Sequence, residues 1–115
     1  MSDVKGLAFA LLAIALGAST AGAQEMPKYD VDAYCASLAK FGGGHSEMMK
    51  DGCFQLEQSS YDNLKETWPS LAPAMKRECM KIASFGSPGS YMMLQGCVEM
   101  EQASKVKNDN RKFKF

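Results

Sequence analysis

Residues 35–60 and 79–104 of this chain are one segment written twice, 44 positions apart, with twelve of twenty-six aligned positions identical. Unrelated segments share about one or two such positions at ordinary residue frequencies. The identities include Cys35/Cys79, Phe41/Phe85, Gly42/Gly86, Ser46/Ser90, Met48/Met92, Met49/Met93, Gly52/Gly96, Cys53/Cys97 and Glu57/Glu101. All four cysteines fall inside the repeat, two per copy and 18 positions apart. Any fold this chain adopts must therefore be built from two similar units, each carrying its own pair of thiols.

The chain opens on a short start with one lysine, followed by an apolar run over residues 6–18 and the small-x-small triplet Ala21-Gly22-Ala23. The run is too short to span a bilayer comfortably, and the pattern is that of a secretory signal peptide over residues 1–23, cleaved after Ala23. An uncleaved N-terminal anchor is the alternative. The remaining 92 residues hold 12 acidic and 12 basic side chains, a balance that argues against a whole-domain nucleic-acid or membrane role. An exported chain with four regularly spaced cysteines reads as a disulfide framework in the periplasm or beyond.

Four cysteines allow three pairings, and helix geometry chooses among them. A single helix from Cys35 to Cys53 would hold the thiols about 27 Å apart, beyond any disulfide. Gly42-Gly43-Gly44 and Gly86-Ser87-Pro88-Gly89 break each copy into two helices. Gly42 and Gly86 stand where left-handed C-terminal caps are needed, and Ser46 and Ser90 where N-caps are needed. Measured from the turn, Cys35 lies about 9 Å along one helix and Cys53 about 10.5 Å along the next. Thiols at equal height on antiparallel neighbours predict Cys35–Cys53 and Cys79–Cys97, each worth about 3 kcal/mol through loop closure.

The spacing predicts helices over 31–41, 46–67, 73–85 and 90–108, and no strands. Val31, Cys35, Leu38 and Ala39 make one apolar stripe, and Met49, Cys53, Leu56, Ser60 and Leu64 another, with a cysteine central in each. Pro69 ends the second helix and Pro73 opens the third. Trp68 is expected over the junction between the copies. The expected architecture is all-α: two tandem disulfide-stapled helical hairpins packed as a small four-helix arrangement. Its parts are the signal segment 1–23, hairpins 24–68 and 69–108, and a basic tail 109–115. Stacking is expected to bury much of the outer faces, including Phe41, Met48, Phe54 and Tyr61; the alternative is a loosely tethered pair, or a dimer that supplies the missing wall.

No nucleophile elbow, phosphate loop, zinc spacing or catalytic carboxylate pair is present, so no catalytic residue, resident metal or cofactor is predicted. His45 lacks any partner typical of a metal or catalytic site and is read as a solvated turn residue. Glu57 and Glu101 lie one turn beyond their cysteines and are expected to hold the starts of the preceding helices, near Val31 and Met75. The doublets Met48-Met49 and Met92-Met93 offer thioethers that suit Cu(I), which makes copper handling an alternative; core filling is the plainer account. A holdase-type chaperone of the envelope is a third reading. The end of the chain carries Lys105, Lys107, Arg111, Lys112 and Lys114 with Phe113 and Phe115, so lipid contact is expected only there or through an uncleaved N-terminus.

Tyr34-Cys35, Ala39, Gly43-Gly44, Gly52-Cys53 and Glu57, followed by Cys79, Ala83, Gly86, Ser90-Tyr91, Gly96-Cys97 and Glu101, resemble small exported proteins of Gram-negative bacteria. Those carry one or two copies of a Cys-x17-Cys helical hairpin with a Gly-Ser-Tyr turn. The resemblance implies a location and a fold, without an activity. Gly44-His45-Ser46-Glu47 departs from it by lacking the turn tyrosine. The leading expectation is a non-enzymatic periplasmic module that binds an unidentified protein or plays an accessory structural role.

Overall fold

A computed structural model describes residues 25–86 and 88–115. The expected signal segment 1–23 lies outside the described residues. Four helices follow in order: α1 (Val31–Ala39), α2 (Glu47–Thr67), α3 (Pro73–Ala83) and α4 (Tyr91–Asn110), with a 3-10 turn at Trp68–Ser70 between the second and third. The fold is all-α. One disulfide joins Cys35 on α1 to Cys53 on α2, and another joins Cys79 on α3 to Cys97 on α4, with Cα–Cα separations of 5.6 and 5.5 Å.

The two turns are built alike. Ser46 and Ser90 accept hydrogen bonds from the backbone N–H of Met49 and Met93, filling the free donors at each helix start. Gly42 and Gly86 take φ of 91° and 82°, a left-handed conformation that glycine adopts without steric cost. The backbone N–H of Ser46 donates to Ala39 O, and that of Ser90 to Ala83 O, which ties each second helix to the end of its first.

The first helix of each hairpin stops two residues short of the expected 41 and 85. Phe41 N–H and Phe85 N–H close i−3 bonds to Leu38 O and Ile82 O, so the last turn tightens before the glycine. That tightening throws both phenylalanines outward, to 84 % and 88 % exposed.

The hairpins meet through α2 and α4, giving the spatial order α1, α2, α4, α3, and α1 does not pack on α3. The core lies where the C-terminal half of α2 meets the N-terminal half of α4 and the inner face of α3. Leu64, Trp68, Leu71, Cys79, Ala83, Tyr91, Leu94 and Val98 fill it. Trp68 is buried there as a bridge between the hairpins, and the Lys76 ammonium lies 5.5 Å from its ring centroid. The segment before α1 laces onto the second hairpin. Tyr91 Oη donates to Pro27 O at 2.7 Å and accepts from Tyr29 N–H at 2.9 Å. Tyr29 stacks against Gly89, where an added Cβ would sit 2.3 Å from the ring, so that position requires glycine.

An open row of four helices covers less than a closed bundle does. Tyr61 packs on the core, but Phe41, Met48 and Phe54 stay exposed, contrary to the expectation that stacking buries them. The physical reason is the stagger. Glu57, ten residues into α2, meets the start of α4, so the second hairpin is set about 15 Å along the first and leaves Met48 and Phe54, in the N-terminal half of α2, exposed.

Candidate functional site: a groove made twice

The disulfides sit at the base of two apolar grooves. In the first hairpin, Leu38 and Phe41 from the end of α1 face Met49, Gly52, Cys53 and Leu56 from the start of α2, around about 560 Å³ of open space. In the second, Ile82 and Phe85 face Met93, Gly96, Cys97 and Met100. Each residue of the second set stands 44 positions after one of the first, so the repeat has duplicated the groove position for position. Tyr34 and Met92 complete the first groove; Lys81 and Glu101 edge the second. Met92 lines the first groove and its chain neighbour Met93 the second.

Helix periodicity explains the composition. A hairpin has an inner seam and two flanks, and the cysteine stripe on each helix is wide enough to serve the seam and one flank. Cys35, Ala39, Cys79 and Ala83 are buried in the seams. Leu38, Leu56, Met49 and Met93 stand on the flank at 38 %, 54 %, 49 % and 46 % exposed, which corrects their assignment to a closed core.

Gly52 and Gly96 form the floors. Each sits inside a helix, where glycine costs about 1 kcal/mol relative to alanine. A Cβ built on either meets nothing within 4 Å. Neither takes a positive φ. The fold therefore gains nothing from these glycines, and both copies keep them. This paired departure from helix propensity was the sequence signal for the grooves, visible as an identity yet without meaning until the flanks were seen to be open.

Glu57 lines one cavity with Val31, near the expected start of α1, but its hydrogen bonds hold the start of α4 instead. Its carboxylate is fully buried and accepts from Ser90 Oγ at 2.7 Å, Tyr91 N–H at 2.7 Å and Met92 N–H at 3.2 Å. A negative group on these N–H donors also meets the positive end of the helix dipole. Glu101 is exposed at the edge of the second groove and, among the described residues, makes no hydrogen bond to the start of α3, unlike the role expected of it. The reason is tertiary. Glu57 finds its helix start on the following hairpin, and among the described residues no hairpin follows Glu101.

Around Glu57 lie Tyr61 and Tyr91, with ring centroids 4.9 Å apart, and Tyr29, 4.8 Å from Tyr91. The Tyr29 hydroxyl is buried without a hydrogen-bond partner. Burial first, then the neighbouring Tyr91 and Glu57, push it up to about 12. Burial likewise raises Tyr91 above the usual phenol value.

His45 is exposed and bonds Glu47 at 2.5 Å, which lowers the Glu47 carboxyl below its ordinary value. Among the described residues, no group of three or more His, Cys, Asp or Glu is placed to hold a metal ion. Of the copper candidates, Met49 and Met92 line the first groove together, Met93 lines the second, and Met48 is 82 % exposed. In the tail, α4 continues to Asn110, and Phe113 and Phe115 contact each other edge to face in solvent.

Comparisons with protein-family models, curated proteins and solved structures find no match. The molecule is a small disulfide-stabilised helical domain, and its defined feature is the duplicated groove.

Proposed function

We propose that this chain is a non-enzymatic protein-interaction module of an extracytoplasmic compartment, working through the paired grooves. The observation that carries the reading is the retention of Gly52 and Gly96 on open groove floors, at a cost in helix stability and with no packing need. Glycine inside a helix that meets nothing of its own chain allows close approach by something outside it. The flanking Leu, Met and Phe side chains give that visitor an apolar, adaptable surface, as methionine-rich interfaces do.

The compartment rests on the two disulfides and on the absence of free cysteine among the described residues, which suit an oxidising environment. Among the described residues, no helix is long and apolar enough to cross a membrane. A signal peptide ending at Ala23 delivers the chain to the periplasm in this reading, consistent with the small exported proteins it resembles.

Mild peroxide oxidation of methionine tests the proposal in native material. Met49, Met93 and Met100 should be protected in concentrated native extract and become reactive on dilution of the purified protein, while exposed Met48 reacts freely in both. Equal reactivity of all four in both samples would remove the grooves as an interaction surface.

A further inference from the structure

We infer that the occupant of the grooves is a second copy of this chain, joined by a two-fold axis; this rests on the interaction reading above. Nine of the apolar side chains lining the two grooves are 38 % to 88 % exposed. At ordinary side-chain areas the two grooves together expose roughly 1,000 Å² of apolar surface, about what one side of a standard interface buries.

The two grooves carry the parts that a self-complementary contact needs. Each chain carries two projecting rings, Phe41 and Phe85, and two glycine-floored hollows, at Gly52 and Gly96. A partner must present a matching surface twice at the spacing of the repeat, and a second copy does so by construction. In an isologous contact the rings of each copy enter the hollows of the other. Charge does not oppose the pairing, since the chain's formal net charge is zero.

Sedimentation velocity of the disulfide-bonded protein over about 1 to 100 µM tests this. The expected result is a monomer–dimer equilibrium. Phe41→Glu with Phe85→Glu should weaken it about 100-fold or more with helicity and both disulfides unchanged, because rings entering a desolvated pocket dominate an interface. Gly52→Leu with Gly96→Leu provides a second route, filling the hollows on helices that tolerate leucine better than glycine. A monomer throughout, or a dimer indifferent to both pairs of substitutions, overturns the inference. If that monomer still shows protected Met49, Met93 and Met100 in native extract, only the second copy is excluded and the interaction reading stands; without protection, both fall.

Discussion

Glu57 and Glu101 are the same residue in the duplicated sequence and have different surroundings in the fold. Glu57 is buried and accepts three hydrogen bonds from the start of α4, whereas Glu101 is exposed. Glutamine at 57 would turn an N–H₂ group toward a backbone N–H and remove the charge that answers the helix dipole. Glu57→Gln should therefore cost about 2 kcal/mol or more in urea unfolding, and Glu101→Gln less than about 0.5 kcal/mol. Equal effects would mean that the carboxylate does not join the hairpins. That a carboxylate one turn past the cysteine would hold a helix start was legible from residue type and spacing. Which helix was not, because the bond crosses 34 residues and depends on how two hairpins lean together.

At the scale of elements, hairpin boundaries, caps and staples followed from local chemistry. Glycine in the turn, serine at the N-cap and thiols at equal height are all set within about two helical turns of the bend. The lacing of residues 26–30 over the second hairpin left no such mark, since nothing in Tyr29 or Pro27 names Tyr91 as a partner 62 or 64 positions away. Its behaviour with pH is specific. Tyr29 is pushed up to about 12 from an ordinary 10.0, so its folded environment favours the neutral phenol. The stability this contributes is complete below pH 10 and is lost as pH rises toward about 12. Far-ultraviolet circular dichroism should show unfolding in that window. Tyr29→Phe, which removes a buried hydroxyl without a partner, should flatten the alkaline loss and leave stability at neutral pH no lower. An unchanged alkaline profile would show that the lacing segment is released before Tyr29 ionises.

At the scale of the whole molecule, a repeat that docks on its neighbour is able in principle to dock on further copies, and this chain prevents it. Tyr91 and Leu94 make the contact on α4, and their counterparts 44 positions earlier are Glu47 and Lys50. Tyr61 and Leu64 make it on α2, and their counterparts are Lys105 and Asn108. Both ends are polar, so neither repeats the apolar docking contact made by Tyr61, Leu64, Tyr91 and Leu94. Glu47→Tyr and Lys50→Leu combined with Lys105→Tyr and Asn108→Leu should produce head-to-tail chains that lengthen with concentration, seen as rising light scattering. A quadruple variant that does not grow would show that more than these four side chains stops the array. The apolar surface left over includes the two lateral grooves, and their glycine floors are the test of what they are for. The direct measurement is urea unfolding of Gly52→Ala with Gly96→Ala, at a dilution where each chain is alone. If the floors are kept open for an outside occupant, stability should rise by about 1 kcal/mol per site, because alanine is the better helix former and its methyl meets nothing. A loss of stability would make these glycines part of the chain's own fold and contradict the account.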